Sequence, residues 1–213
     1  VDKAFAAMEK LFVTAMTEQQ RLAYEFAADG HQWGYTPPGG EISVGAAMRN
    51  LMAFWHCNDP AGGVHNVFPQ EVPEFGPTML ELIAALKQSS EMIFQAIALG
   101  LGRDREFFVR WISHGRNLLR PIHYPALQGD EQVERSGAHE DIDLGTLMVP
   151  ATVPGLQVKT RKGEWVDAIN PPGALIFNAG DMLQLHTHGA IKSTTHQVVH
   201  PQHACPDRFS IPF

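Results

Sequence analysis

Cysteine is nearly absent from this chain. Only Cys57 and Cys205 occur, too few for a disulfide framework and not in the paired spacing that a thiolate-bound metal needs. There is also no run of Lys or Arg. Sixteen basic residues against 23 acidic ones give a net charge of −7 and a pI near 5.8, which argues against a nucleic-acid binder. Long apolar runs are missing too: the stretch around Met92 to Leu101 is broken by Gln95 and is too short to span a bilayer. Val1-Asp2-Lys3 leads into a helical pattern rather than a signal peptide. No internal repeat or low-complexity linker interrupts the chain. The expectation is a cytoplasmic protein with no membrane or nucleic-acid partner, monomeric or dimeric, forming a single domain over 1–213. A length of 213 residues, 44 % of them hydrophobic, is enough for one sizeable core.

Histidine, by contrast, is abundant. There are eleven, and six of them (139, 186, 188, 196, 200 and 203) lie after residue 138. The texture changes near residue 117. Before it, the pattern is helical. Phe5, Met8, Leu11, Phe12 and Ala15 share one face, and Thr17-Glu18-Gln19-Gln20 is a capping box opening a second helix that ends at Asp29-Gly30. A long helix is predicted over 78–101, opened by a capping box at Thr78 and stopped by Gly100 and Gly102. A short aromatic helix follows from Asp104. The segment 41–76 is irregular, with Gly62-Gly63 and four prolines between 60 and 77.

After residue 117, eight short β-rich runs are predicted: 118–124, 139–149, 155–159, 164–169, 174–178, 182–187, 194–200 and 208–213. Helices followed by many strands predict an α+β, mainly β fold. Its jelly-roll core spans 117–213, and residues 1–116 supply a helical layer and substrate-side loops.

Within this β region, His139 and Asp141 stand two apart. On a strand they share a face while Glu140 points away. An imidazole and a carboxylate side by side make two thirds of a 2-His-1-carboxylate site, the donor set of non-haem Fe(II) oxygenases. His196, inside the β-branched run Ser193–Val199, is the third candidate. His186 and His188 compete for that role, but Gly189-Ala190 after them reads more simply as a turn. Arg208 and Ser210 share a strand face, and a guanidinium fork with a hydroxyl forms a receptor for one carboxylate.

His139-x-Asp141, Gly155-Leu156-Gln157-Val158, Pro172-Gly173-Ala174, Asn178-x-Gly180-Asp181, Ser193-x-x-His196 and Arg208-x-Ser210-x-Pro212-Phe213 occur in that order. The order resembles that of the Fe(II)/2-oxoglutarate dioxygenases related to isopenicillin N synthase. Gly34-Tyr35-Thr36-Pro37, Phe54-Trp55-His56 and Phe75 resemble N-terminal elements of bacterial members. The resemblance implies a double-stranded β-helix, Fe(II) on His139, Asp141 and His196, and 2-oxoglutarate held by Arg208 and Ser210. O2 is the oxidant, and ascorbate enters as an optional reductant. The resemblance also matches Tyr124 to a tyrosine that reaches a co-substrate or substrate carboxylate.

The implied reaction couples decarboxylation of 2-oxoglutarate to oxidation of a C–H bond in a small molecule. Two other readings stay open: a 2-oxoglutarate-independent Fe(II) oxidase of the same family, and a non-catalytic jelly-roll binding module. Ile122 stands where many plant members carry Asn. The family's usual first strand and its C-terminal strand and helix have no counterpart here, so a longer gene product is expected. Tyr35, Phe54, Trp55, Phe68 and Arg120 are candidates to line the substrate pocket, each equally plausible as core or rim.

Overall fold

The computed structural model describes residues 1–25, 33–41, 50–128, 135–199 and 203–213. Asp29-Gly30, part of the irregular segment and His200 lie outside them, and the predicted second helix already ends at Leu22, short of Asp29. The chain falls into two compact units. One is Val1–Tyr35 with Trp55–Pro121 and Phe213, and the other is Thr36–Phe54 with Ile122–Pro212.

In the first unit, α1 (Asp2–Glu9) runs into a π-turn (Lys10–Thr14). The predicted capping box opens α2 (Glu18–Leu22), where the Thr17 hydroxyl accepts from the Gln20 N–H and the Gln20 side chain accepts from the Thr17 N–H. Arg21 donates to the carbonyls of Leu11, Phe12 and Met16, which gives partners to groups that a helix end leaves unsatisfied. β1 (Gly34–Thr36) and β2 (Ala53–Asn58) come next.

α3 (Phe75–Gly100) starts a turn earlier than predicted and does not use Thr78 as its cap. Phe75 is wholly buried against Trp55 and Phe68, which anchors the extra turn. Pro77 is tolerated there because first-turn N–H groups have no helical partner. Phe75, Met79, Leu82, Ile83, Leu86, Phe94 and Ala98 form its buried stripe. Beyond the other end, Gly102 (φ +67°) allows its own N–H and that of Arg103 to reach the carbonyls of Leu99 and Ala98, a Schellman closure. α4 (Val109–Ile112) and β3 (Leu118–Leu119) complete the unit. Asp59, Lys87 and Asn117 form a hydrogen-bonded polar knot within it.

Among its described residues the second unit carries eight whole strands: β4 (Ile122–Tyr124), β5 (Ser136–His139), β6 (Gly145–Val149), β7 (Leu156–Lys159), β8 (Trp165–Asp167), β9 (Ile176–Ala179), β10 (His196–Val198) and β11 (Arg208–Pro212). Apart from the neighbouring pair β7 and β8, they alternate between two antiparallel sheets, ordered β4-β11-β6-β9 and β5-β10-β7-β8. Ala53 and Phe54 add to the free side of β4. Met52, Phe54, Ile122 and Tyr124 pack with Val198 and Leu156 in one cluster, so side chains from both sheets share a core, as in a β-sandwich. This is the predicted jelly-roll, or double-stranded β-helix, core of a mainly β fold.

Three of the eight predicted strands differ in the structure. The run 139–149 is two strands, β5 and β6, separated by a turn at 140–144. The run 182–187 is a helix, α5 (Asp181–His186). Its alternating apolar residues looked β-like, but only Leu183 is buried, while Met182 and Leu185 are exposed. The first N–H groups of α5, on Asp181 and Met182, reach the carbonyls of Asp141 and Asp143, partners that a sequence pattern cannot reveal. The run 118–124 is also broken, between Leu119 and Ile122 at Arg120-Pro121, since proline cannot donate to a ladder.

Candidate metal centre and anion site

His139 is the last residue of β5, and His196 is the first of β10. The two strands are antiparallel, and a register shift between His196 and Val198 makes His196 the direct partner of His139. Bulges of this kind re-aim side chains next to functional sites. The two imidazoles lie with ring centroids 4.3 Å apart.

Asp141 is not on a strand. It follows His139 in the turn, so the turn, and not shared strand parity, brings the two side by side. The turn is held by α5, whose first N–H groups bond to it, and by Gly180 at the helix N-cap. A Cβ on Gly180 would lie 2.3 Å from the Asp143 carbonyl oxygen and 2.9 Å from that of Asp141. Only glycine permits that approach.

The geometry brings three donors together. The Nε2 atoms of His139 and His196 lie 3.8 and 3.9 Å from Asp141 Oδ1. Among the described residues, these three form the one group of His, Cys, Asp or Glu side chains with ligand atoms all within 4.8 Å of one another. The remaining polar atoms are committed elsewhere. His139 Nδ1 is 2.7 Å from the Gly137 carbonyl and His196 Nδ1 is 2.9 Å from that of Thr194. A carbonyl only accepts, so each Nδ1 carries the proton and each Nε2 is left as the basic nitrogen. Asp141 Oδ2 accepts from the Thr146 hydroxyl at 2.6 Å and from the Asn178 amide at 2.8 Å.

Thr146 and Asn178 are cross-strand partners on β6 and β9. Thr146 was overlooked in the sequence, and Asn178 appeared only as part of a motif. The signal that unites them is strand register, visible only once the sheet is built. Burial alone would raise the Asp141 carboxyl, but the Thr146 bond, the neighbouring His196, the Asn178 bond and His139 bring it below its ordinary value. Asp143 goes the other way: burial first, then the charge of Asp141, push it up to about 6. Glu140 is exposed and accepts a bond from the Thr195 hydroxyl. His186 and His188 are exposed at the end of α5, apart from the three donors.

Arg208, Ser210 and Tyr124 also come together. β11 pairs with β4 so that Arg208 faces Tyr124 and Ser210 faces Ile122. Arg208 is 1 % exposed, and its guanidinium carbon lies 4.8 Å from the centre of the Tyr124 ring. Its Nε donates to the Val153 carbonyl, whereas its Nη1, although buried, has no hydrogen-bond partner among the described residues. Burial lowers its pKa from the usual arginine value. A second arginine, Arg135, was not singled out in the sequence. It is 2 % exposed and lies 5.9 Å from the same ring.

Of the aromatic candidates for a substrate pocket, Tyr35, Phe54 and Trp55 are core, and Phe68 is half-buried. Trp55 is wholly buried, and its indole donates to the Val67 carbonyl. The Tyr35 hydroxyl donates to Glu18, and burial followed by that carboxylate raises its pKa. Phe54 belongs to the cluster around Tyr124 and Val198. Phe68 packs edge-on against Phe75. Arg120 is half-buried near His56, whose pKa falls to about 3 through burial, with a smaller contribution from the Arg120 charge.

Comparison with known proteins places this site in a family. Residues 115–213 match the family model described as the 2OG-Fe(II) oxygenase superfamily. A 2-oxoglutarate-Fe(II) type oxidoreductase of Emericella nidulans is 32 % identical over 166 residues, covering 75 % of this chain and 47 % of that protein. The crystal structure of a 2OG-Fe(II) oxygenase family protein from Caulobacter crescentus superposes with a TM-score of 0.85 at 33 % identity, covering 99 % of this chain and 71 % of that one. A full-length Neurospora crassa protein, crystallised in complex with alpha-KG, superposes with a TM-score of 0.86 at 27 % identity, covering 99 % of this chain and 69 % of that one. The chain spans about half the length of the curated relatives it matches. With its strands, its donor trio and a relative one-third identical along most of that relative's length, the chain belongs to the 2OG-Fe(II) oxygenase superfamily.

Proposed function

We propose that this chain carries the catalytic core of an Fe(II)- and 2-oxoglutarate-dependent oxygenase acting on a small molecule, with the chemistry in the stretch 117–213. His139 and His196 hold the metal through Nε2, and Asp141 holds it through Oδ1. Tyr124, Arg208 and Ser210 take the far carboxylate of 2-oxoglutarate. One observation carries the reading: the three atoms that face one another are those remaining after Gly137, Thr194, Thr146 and Asn178 have engaged the rest of the trio. Two neutral imidazoles and one carboxylate suit Fe(II) and leave room for further ligands. The buried Nη1 of Arg208, with no partner among the described residues, suits an incoming carboxylate.

Bound Fe(II) supplies the reductive activation of O2. Overall, 2-oxoglutarate, O2 and a substrate C–H give succinate, CO2 and the C–OH product. The protein's part is binding and orientation. The Nδ1–carbonyl bonds fix each imidazole's tautomer and angle, and the two bonds to Oδ2 direct Oδ1. Arg208 anchors the co-substrate by its unreacting end, converting binding energy into orientation. No side chain is required as a proton donor or acceptor.

The test is succinate release from 2-oxoglutarate by protein loaded with Fe(II) under argon and then exposed to air. Release is expected in the wild type and lost in His139→Ala. Substrate oxidation without succinate would instead identify a 2-oxoglutarate-independent oxidase. Iron binding without any turnover would identify a binding module. Arg208→Ala is expected to raise the 2-oxoglutarate requirement about a hundred-fold or more, since removing one partner of a buried charge pair costs about 3–5 kcal/mol.

A further inference from the structure

Trp55, Arg135 and Arg208 head the fully buried side chains, ranked by size. Burying a guanidinium is costly unless its charge is met. Yet among the described residues no carboxylate forms an ion pair with either arginine.

Arg208 lies 4.8 Å from the centre of the Tyr124 ring and Arg135 5.9 Å from it, so one phenol ring is shared by two cations. The remaining described contacts of Arg135 include no carboxylate. Its Nη2 donates to Cys205 Sγ at 2.8 Å and, more weakly, to the Pro125 carbonyl at 3.4 Å. Its Nε, like Arg208 Nη1, is buried without a hydrogen-bond partner among the described residues. Cation–π contact with Tyr124 offsets part of the desolvation cost but leaves the charge in place. Two buried positive charges on one hydroxyl-bearing ring, met by no described carboxylate, suit an anion.

We propose that Arg135 is a positioning residue of the co-substrate site. Stacked on Tyr124, it fixes that ring against Arg208 and adds a second positive charge that selects an occupant bearing a distal carboxylate. This inference rests on the reading of Arg208 as the 2-oxoglutarate anchor, and it deepens it. Arg208 contacts the carboxylate, whereas Arg135 acts through Tyr124 and through its field. One unit charge about 10 Å away, at an effective dielectric constant of about 20, changes affinity about ten-fold.

The experiment is anaerobic calorimetry of the Fe(II)-loaded protein with two ligands that share the chelating end. These are 2-oxoglutarate and 2-oxopentanoate, which lacks the distal carboxylate. Arg135→Met, close in length and uncharged, is expected to weaken 2-oxoglutarate about ten-fold and leave 2-oxopentanoate unchanged, shrinking the preference between them. Arg135→Lys, which keeps the charge, is expected to retain most of that preference, and Arg135→Gln, also uncharged, takes the place of the Met variant if that one does not fold. An equal loss for both ligands in Arg135→Met would show a structural role only and overturn the proposal. So would an unchanged preference in that variant, or a lost one in Arg135→Lys. Arg208→Gln separates the two levels. If it abolishes the preference while Arg135→Met does not, the anchor stands and the role of Arg135 falls. If it leaves the preference intact, the anchor itself is wrong.

Discussion

At the scale of single residues, the centre is governed by which atom of each side chain is already engaged. Asp141 has two oxygens, and Thr146 and Asn178 take one of them. Glu140, its neighbour in sequence, is exposed and bonded to Thr195. Asp141→Ala is therefore expected to abolish tight Fe(II) binding and turnover, and Glu140→Ala to leave both within about two-fold of wild type. Metal titration followed by calorimetry checks the contrast, and similar losses in both variants would refute the assignment. Thr146→Val keeps the side chain's shape and removes the shorter of the two bonds to Oδ2. Losing such a supporting bond typically costs about 10–100-fold in metal affinity, and that range is expected here in the same titration. An affinity equal to wild type would mean that Thr146 does not orient the carboxylate.

At the scale of elements, two devices assemble the site. The register shift between β5 and β10 sets His196 opposite His139, and α5 with Gly180 clamps the turn that carries Asp141. Gly180→Ala tests the second device. The added methyl would fall within contact-forbidding distance of the Asp143 and Asp141 carbonyls, so the turn must move. The expected cost is about 1–3 kcal/mol of stability, the usual range for overpacking, accompanied by weakened Fe(II) binding. Denaturant unfolding and metal titration read the two effects. A variant that loses stability while binding iron normally would show that the turn relaxes without displacing Asp141. Sequence patterns conceal both devices. A register shift has no local signature, and α5 resembles a strand because Met182, Gln184 and His186 alternate with Leu183 and Leu185.

At the scale of the whole molecule, metal binding and folding are linked. The proposed trio draws on the end of β5, the turn after it and the start of β10, all in the second unit, so a metal held by it would bind only when those segments are assembled. A ligand that binds only the folded state adds about 2.7 kcal/mol at a concentration 100 times its dissociation constant. Fe(II) or Mn(II) at that level is therefore expected to raise the Tm of the wild type by several degrees, with reversal by chelator and no shift in Asp141→Ala. A Tm indifferent to metal would count against the site. No helix among the described residues is long and apolar enough to cross a membrane.

Residue types and their order along the chain already state the chemistry available: two imidazoles and a carboxylate for a transition metal, a guanidinium with a hydroxyl for a carboxylate, and β-rich texture after residue 117 for a jelly roll. These depend on residue type and local order, which the chain states directly. Which atoms face one another is set by the packed fold. It placed Asp141 on a turn rather than a strand, paired Thr146 with Asn178 behind it, and set an unsuspected Arg135 beside Tyr124. Each of these depends on hydrogen-bond register and burial between segments far apart in sequence, and neither exists until the sheets have formed.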